Sequence, residues 1–576
     1  MQARLDTTDP RFDEMPADPK VEARNSAIPG NGGSIKPYAL ALTVLLLNVV
    51  LTAHAQTVVQ ATVSFSAANS GMVLNPAFCG LSYEKSKLTN NFFVSTNTAL
   101  IDLFDQLAPA VLRIGANSVN TTCWGGISNT IPITAAQVDA FAGFVKALNT
   151  NWHVIYGINM SVNSPSNCAA EAAYAANALG SSLLGFEIGN EPDLYANNGI
   201  RGSNYTYTQF LPEWQALAAA ITNAVPGWAV TNAGNGWVLT GPASAYNNEE
   251  YTVPFAGDEA GVVAMVTQHY YRANGESPSS TLALLLQPDP DVPVTVSNIV
   301  AAATTAKLPL GFRMDECGSF YNGGAPNVSD AYGTALWTLD FMFTCALNGA
   351  QGVNFHGGGI VTGYAPIADN GSMVLQAQPE FYGLKMFSLV PQGSVIPAVV
   401  SLETNINFTA YGVQRTGGGI SAVLVNKETN YSVQVSINLG TIARGAQLIE
   451  LTGPALDSTN GYTIGAAEID ADGSWMGVSE SVSSATNGQC IFTVPPISAV
   501  LLNPVVPGTN IVFSVTGNLL DLSWPSNYTG WLLQSNSAGL ATSNAWFAVP
   551  GSTASNSVQI TIDPSLTNVF YRMIQP

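Results

Sequence analysis

The stretch Leu183–Asp193, with the sequence LLGFEIGNEPD, joins a short apolar segment to a polar end. The apolar residues up to Ile188 are typical of a buried strand of a parallel sheet. Pro192 ends such a strand because it has no backbone N–H to donate. A helical pattern follows over Phe210–Val225. An apolar strand that ends in carboxylates and leads into a helix predicts one unit of an alternating α/β fold.

The same alternation of strand and helix recurs over residues 78–391, with further helices predicted at Asp139–Leu148 and Tyr332–Leu347. The eight predicted strands lie within about 280 residues, which favours a (β/α)8 TIM barrel, whose typical size is ~250 residues. A doubly wound sheet is the competing architecture, but no G-x-G-x-x-G turn follows the first strand. The eight predicted strands are Phe78–Tyr83, Ala110–Gly115, His153–Asn159, Leu183–Gly189, Ala229–Ala233, Val262–His269, Leu310–Asp315 and Gly352–Phe355.

Beyond Pro391 the helical periodicity disappears, and short alternating segments predict a C-terminal antiparallel β-sandwich over residues 392–504. Residues 56–77 contain a further predicted strand and are expected to join that sandwich. Residues 505–576 form a small additional β module. Its three tryptophans suit either core filling, which is favoured, or stacking on sugar rings. These tryptophans are Trp524, Trp531 and Trp546.

Residues 1–55 are predicted to be an N-terminal extension and signal peptide. Lys36, the apolar run Tyr38–Val50 and the A-x-A sequence ending at Ala55 match a secretory signal. The apolar run is shorter than the ~20 residues of a membrane-spanning helix. We therefore expect cleavage after Ala55, a secreted or periplasmic location, and no membrane association of the mature chain.

The charged residues are few and mostly acidic: 18 Lys and Arg against 38 Asp and Glu, a net charge of −20. Removal of residues 1–55, which hold five basic and six acidic side chains, would leave 13 basic and 32 acidic residues and a net charge of −19. Such a chain is unsuited to nucleic acid or other polyanions. We expect a monomer whose partner is a carbohydrate.

Familiar metal and nucleophile motifs are missing from the sequence. The six cysteines include no C-x-x-C pair, and the four histidines include no H-E-x-x-H motif. Neither a G-x-S-x-G elbow nor a P-loop occurs. The sequence therefore predicts neither a metal nor a cofactor.

Two glutamates are the candidate catalytic residues because they lie at the ends of predicted barrel strands, where TIM-barrel active sites form. Glu191 follows the fourth strand, and Glu316 follows the seventh. Two carboxyl groups across a barrel mouth can cleave a glycosidic bond when one is protonated and the other ionised. Glu187 has the same side-chain parity as Glu191, so we expect it to point inward, without an assigned role.

The Gly-Asn-Glu-Pro motif at 189–192, together with a glutamate on strand seven, resembles the signature of clan A glycoside hydrolases. Other motifs resemble family 79 of that clan, the β-glucuronidase and heparanase-like enzymes. Gly80–Glu84 is similar to its opening motif, Leu112–Gly115 to its second strand, and His269–Tyr271 to the end of its sixth strand. The resemblance covers residues 57–504 and leaves out the last β module.

This resemblance implies a retaining mechanism with Glu191 as general acid/base and Glu316 as nucleophile. It also implies that Asn190 binds the 2-hydroxyl group of the sugar, and that Arg113 and Tyr271 keep Glu316 ionised and oriented. In bacterial members of the family, tyrosine hydroxyls and backbone amides meet the uronate carboxylate. The residues at corresponding places are Tyr321, Gly363 and Tyr364, and for the two tyrosines loop packing is an equally good explanation. His269 and His356 are further candidates for lining the pocket.

One feature departs from the family pattern. After strand two the family often carries an acidic residue at the rim of the active site. Residues 115–120 contain no acidic residue, and asparagines stand there instead. The identity of the terminal sugar therefore stays open.

These observations predict a secreted retaining exo-β-glucuronidase that acts on terminal β-linked glucuronic acid or its 4-O-methyl derivative. A β-xylosidase or α-arabinofuranosidase remains the alternative enzyme, because the clan motif is shared across those specificities. A non-catalytic glycan-binding surface protein is a different class, and the presence of both carboxylates argues against it. An endo-acting heparanase-like role is disfavoured because a strongly acidic chain repels a polysulfated substrate.

Overall fold

The computed structural model of this chain describes most of the compact unit Gln56–Pro576. The predicted signal peptide lies outside the described residues. Among those residues, no helix is both long enough and apolar enough to span a membrane. The described ranges are 57–66, 72–107, 109–127, 129–149, 151–162, 164–229, 236–416, 418–440, 443–483, 487–506, 511–525, 528–539 and 545–574.

Eight parallel strands close into a barrel in which the eighth strand pairs with the first, so the predicted TIM-barrel fold is confirmed. One prediction differs: Ala229–Ala233 lies almost entirely outside the described residues, and the fifth barrel strand is Val238–Ser244. The other seven agree with the prediction to within a few residues at their ends. The barrel strands are Cys79–Glu84, Ala110–Gly115, Trp152–Ile158, Leu183–Ile188, Val238–Ser244, Val263–Tyr271, Gly311–Gly318 and Val353–Gly357.

A helix follows each barrel strand. Local sequence defines where several of them begin: Thr134 and Gln137 form a capping box, and Ser164 caps a helix whose first residue is Pro165. The apolar residues of these helices pack against the outside of the barrel and form one continuous core with it. The helices are Thr98–Asp105, Ala135–Ala147, Pro165–Leu179, Tyr207–Ala224, Val253–Asp258, Asp291–Thr305, Gly333–Leu347 and Pro379–Ser388.

The second layer of the structure is a β-sandwich whose two sheets share the strand Gly393–Leu402. The first half of this strand pairs with Phe408–Arg415, and its second half pairs with Thr57–Phe65. Thr57–Phe65 also pairs, in parallel, with Tyr431–Asn438. A strand that precedes the barrel in sequence is therefore an interior strand of the sandwich. The remaining strands are Ile420–Asn426, Gly445–Thr452, Thr463–Ile464, Glu480–Ser483, Gln489–Val494 and Ser498–Pro504.

Polar contacts attach the sandwich to the helix Gly333–Leu347, which follows the strand that carries Glu316. The carboxylate of Asp340 accepts hydrogen bonds from Thr409 at 2.6 Å and Tyr411 at 2.8 Å, and it pairs with the buried ammonium of Lys427. The sandwich thus supports the outer surface of the barrel next to strand seven.

The C-terminal module consists of two three-stranded sheets around a small core of its own. Trp524 is buried in that core, and Trp531 packs against it. The guanidinium of Arg572 lies 4.2 Å from the ring centroid of Trp546. Each tryptophan thus has a packing role inside the module. The strands are Val512–Thr516, Leu519–Ser523, Leu532–Asn536, Phe547–Ala548, Ser557–Thr561 and Phe570–Ile574.

Candidate active site

The seventh strand contains a β-bulge at the point where the candidate nucleophile lies. Met314 is paired with Gln268 and Glu316 with His269, so Asp315 is an extra residue on the seventh strand. Both Asp315 and Glu316 consequently approach the same guanidinium in the barrel interior, although they are adjacent in sequence. Regular alternation would direct neighbouring side chains to opposite faces.

Arg113, on the second strand, organises the base of the site. Its Nη1 lies 2.7 Å from Glu316 Oε2 and 3.2 Å from the hydroxyl oxygen of Ser82. Its Nε donates to Glu187 Oε2 at 2.6 Å, and its Nη2 donates to Asn190 Oδ1 at 2.9 Å. Burial opposes the charge on this guanidinium, but the surrounding carboxylates outweigh burial and raise its pKa. Glu187 is therefore an ion-pair partner of Arg113.

The environment of Glu316 keeps its carboxylate ionised. Tyr271 donates its hydroxyl hydrogen to Oε1 at 3.0 Å, and His356 Nδ1 lies 3.7 Å from Oε2. Burial alone would raise the pKa of Glu316, but the charges of His356, His269 and Arg113 and the Tyr271 hydrogen bond together lower it to about 2. A carboxylate nucleophile must be unprotonated, and these contacts favour that state.

Glu191 lies in a strained turn directly after the fourth strand. Its backbone has φ 52° and ψ 54°, a left-handed conformation that is uncommon for a residue with a side chain and frequent at functional sites. Its backbone N–H donates to the carbonyl of Ala243 at 2.8 Å, which ties this turn to the end of strand five. The Glu191 side chain is 13% exposed, so it remains accessible to a leaving group and to water.

His269 connects the two candidate catalytic glutamates. Its Nδ1 lies 2.9 Å from Glu191 Oε1, and its ring is fully buried. Burial would lower the pKa of this imidazole, but the charge of Glu316 and the hydrogen bond to Glu191 raise it to about 9. His269 is therefore a partner of the candidate acid/base residue Glu191.

The separation of the two carboxyl groups determines which chemistry they can perform. One oxygen of Glu191, one oxygen of Glu316 and one nitrogen of His269 all lie within 4.8 Å of one another. Retaining glycosidases place their carboxyl groups roughly 5–5.5 Å apart, and inverting enzymes roughly 6.5–9.5 Å. The spacing therefore suits direct attack by one glutamate. The same three atoms have the spacing of cation ligands, and Glu316 is in addition paired with the guanidinium of Arg113.

Asparagines that follow strand two hold Asn190 in place. The side-chain amide of Asn190 donates to Asn117 Oδ1 at 3.2 Å, and Asn120 Nδ2 donates to the backbone carbonyl of Asn190 at 3.2 Å. Tyr195 donates its hydroxyl hydrogen to Asn120 Oδ1 at 2.7 Å. The segment that lacks the acidic residue of the family pattern thus supports Asn190 instead.

The predicted sugar-binding loop residues occupy two different environments. Tyr364 is half-buried, with its ring centroid 5.6 Å from that of Tyr271 and 5.9 Å from that of His356. A Cβ atom on the neighbouring Gly363 would lie 3.0 Å from the carbonyl oxygen of Gly323, so two loops meet closely here. Tyr321 lies on the rim of the barrel and is 45% exposed. Tyr364 thus lies beside Tyr271 and His356, which contact the candidate nucleophile, whereas Tyr321 is on the outer rim.

Comparison with known proteins gives one domain match and several relatives. Residues 410–501 match the glycosyl hydrolase family 79 C-terminal beta domain. A β-glucuronidase of Aspergillus niger is 26% identical over 351 residues, and one of Neurospora crassa is 24% identical over 374 residues. The matched regions cover 55% and 57% of this chain, and 64% of each relative. The chain thus spans less than two thirds of the length of these curated relatives.

Solved structures with the same fold include two glycosidases. A 4-O-α-L-rhamnosyl-β-D-glucuronidase from Fusarium oxysporum 12S has a TM-score of 0.60 at 19% identity, covering 77% of this chain and 99% of that structure. A family 51 arabinofuranosidase from Xanthomonas axonopodis pv. citri has a TM-score of 0.57 at 16% identity, with the same coverage.

The chain thus has the fold of TIM-barrel glycoside hydrolases and is similar in sequence to members of that class. Within that class, the resemblance to family 79 indicated by the strand motifs is confirmed by the domain match and by the two β-glucuronidases.

Proposed function

We propose that this protein is a secreted retaining exo-β-glucuronidase that releases terminal β-linked glucuronic acid, or its 4-O-methyl derivative, from glycans or glycoconjugates. The observation that carries the proposal is the approach of Glu191 and Glu316 to within 4.8 Å, with Glu316 held ionised. The names of the curated relatives support glucuronic acid as the sugar.

In the first step, Glu316 Oε attacks the anomeric carbon while Glu191 transfers its proton to the oxygen of the leaving group. The bond to the leaving group breaks, and a covalent glycosyl-enzyme ester forms on Glu316. In the second step, Glu191 takes a proton from water, whose oxygen then displaces the ester. Two displacements at one carbon retain the β-configuration of the released sugar.

The surrounding residues support these steps in different ways. Arg113 and Tyr271 orient the attacking carboxylate and hold its charge. A charged His269 stabilises the Glu191 carboxylate that remains after proton transfer. Asn190 is held by Asn117 and Arg113, which presents its amide for a hydroxyl group of the sugar.

Recognition of the uronate carboxylate is assigned to the hydroxyl of Tyr364, with Tyr321 contributing from the rim. Gly363 shapes this loop, because its own N–H donates to the carbonyl of Ile360 at 3.0 Å. A nearby cation, Lys87, is already paired with Asp369. We therefore assign binding of the sugar carboxylate to hydroxyl and amide donors rather than to a lysine.

A panel of nitrophenyl glycosides tests the proposal. We expect hydrolysis of the β-glucuronide, loss of activity in Glu316→Ala and Glu191→Gln, and β-glucuronic acid as the first anomer seen by NMR. Glu259→Gln is the matched control, because Glu259 is also buried but its hydrogen bond, 2.7 Å long, is to Gln215. A first-formed α-anomer would contradict the retaining mechanism.

An arabinofuranosidase or xylosidase is the second candidate, because the fold is also that of a family 51 arabinofuranosidase. Cleavage of an α-arabinofuranoside or β-xyloside without cleavage of the glucuronide would favour it. Export is tested separately: the N-terminal sequence of protein collected outside the cytoplasm should begin at Gln56.

A further inference from the structure

Asp315 is a buried acid that the two-step mechanism does not use. It is the extra residue of the strand-seven bulge and is fully buried. Its Oδ2 lies 3.0 Å from Arg113 Nε, and its Oδ1 lies 3.9 Å from His269 Nε2. Neither carboxyl oxygen accepts a hydrogen bond from the residues that the structure describes.

Arg113, which holds the donor nearest to Asp315, is engaged elsewhere, and His269 Nε2, 3.9 Å away, lies beyond hydrogen-bond distance. Arg113 Nε carries a single hydrogen, and Glu187 lies closer to it, at 2.6 Å. The Nη1 of the same guanidinium donates to Glu316. Glu187 has a second donor, the hydroxyl of Thr267 at 2.9 Å. Of the three carboxyl groups around Arg113, Asp315 is thus the one without a donor for a negative charge.

A buried carboxylate without donors is unstable relative to the protonated acid. Burial, the negative charge of Glu187 and a hydrogen bond between the two carboxyl groups raise the pKa of Asp315, and together they outweigh the opposing charges of Arg113 and His269. Two other charged groups lie on the same strand. Glu316 adds a further negative charge. Arg313 donates to the side chain of Asn354 and to backbone carbonyls such as that of Ala77 at the base of the barrel.

We propose that Asp315 holds a proton at the pH at which the enzyme works and acts as a positioning residue by donating that proton to Glu187. The neutral acid allows three carboxyl groups to surround one guanidinium with only two negative charges. Glu187 then stays paired with Arg113 Nε, and Nη1 remains available to Glu316. The kinetic consequence rests on the proposed glycosidase function, whereas the protonation state does not.

Infrared spectroscopy of protein with 13C-labelled aspartate carboxyl groups tests the protonation state without substrate. At neutral pH we expect a carbonyl band of protonated aspartic acid that Asp315→Asn diminishes. Asp330 is the matched control, because it is a buried aspartate outside the Arg113 network whose pKa is also raised by burial. Asp330→Asn should leave the Asp315 component intact. A band unchanged by Asp315→Asn would overturn the proposal.

Kinetics on the glucuronide then test the positioning role. Asp315→Asn keeps a neutral donor, so its kcat/KM should stay within about threefold of the wild type and the acid limb of its pH profile should not move. Asp315→Leu removes the donor, so kcat/KM should fall about tenfold or more and the acid limb should move to higher pH. Melting temperatures of both variants separate misfolding from mispositioning. An acid limb that moves equally in both variants would overturn the proposal. If no glucuronide is cleaved at all, the proposed function fails, but the infrared result still decides the state of Asp315.

Discussion

The hydroxyl of Tyr271 offers the most direct test of how this site keeps the proposed nucleophile, Glu316, charged. Tyr271→Phe removes one oxygen and leaves the ring packed against Tyr364. The lost interaction is a single 3.0 Å hydrogen bond to Glu316 Oε1, and the contacts of Arg113 and His356 with Oε2 remain.

The size of the effect follows from the charge on the acceptor. A hydrogen bond to an ionised group contributes about 1.5–3 kcal/mol, and one pKa unit corresponds to about 1.4 kcal/mol. Loss of the bond should therefore raise the pKa of Glu316 from about 2 by roughly one to two units. Since the attacking carboxylate must be ionised, the acid limb of kcat/KM moves to higher pH by the same amount. On the plateau, looser orientation should lower kcat/KM roughly ten- to a hundredfold.

The assay is kcat/KM on a nitrophenyl β-glucuronide from about pH 1.5 to 8, a range that includes the wild-type acid limb, with circular dichroism at each pH to confirm that the protein is folded. Tyr332→Phe is the matched control: it is also a buried tyrosine, but its hydroxyl donates to the carbonyls of Leu451 and Ile497 at 2.9 Å. The control should lose stability and keep the wild-type acid limb. If the acid limb of Tyr271→Phe coincides with that of the wild type, Tyr271 does not stabilise the charge on Glu316.

Three further changes test the site and its support. Arg113→Lys keeps the positive charge but loses the planar guanidinium, which donates to Glu187, Glu316 and Asn190 at once. We expect kcat/KM to fall roughly a hundred- to ten-thousandfold. A smaller loss would show that the charge alone suffices. Asp340→Ala leaves the fully buried ammonium of Lys427 without its carboxylate partner. The free energy of unfolding, measured by urea titration, should fall by about 3–5 kcal/mol. Asp340→Asn is the control and should lower it by less. Removal of residues 511–576 takes away a module with its own core, so kcat/KM should stay within about twofold, and a larger loss would give the module a role in turnover.

The barrel could be predicted from sequence because buried parallel strands are short apolar runs between amphipathic helices. Ala110–Gly115 was predicted to its ends, since it is apolar apart from Arg113. The fifth strand, Val238–Ser244, was missed because Gly241 and Pro242 lie in its middle, and both residues disfavour strand assignments. Tertiary pairing with strands four and six overrides that local preference.

The candidate catalytic pair was also accessible from sequence, because both glutamates lie at strand ends and within distinctive motifs. The residues that support them were not. Asp315 faces Arg113 only because of the β-bulge, and no local sequence pattern predicts that bulge. The roles of Asn117 and Asn120 depend on contacts with a different strand end, so only the folded chain reveals them. A search for polar residues near every strand end would have listed these asparagines as candidates.

The place of Thr57–Phe65 in the sandwich has a consequence for how the protein is made. This strand leaves the ribosome early, whereas its two partners, Gly393–Leu402 and Tyr431–Asn438, are synthesised only after the whole barrel. Its apolar residues Val59 and Val63 must stay unpaired for that entire interval, and such non-local pairing is slow and prone to aggregation. The segment therefore stays without its partners in newly made chains, and trimming the chain into it would detach Tyr431–Asn438 from Gly393–Leu402 within one sheet of the sandwich.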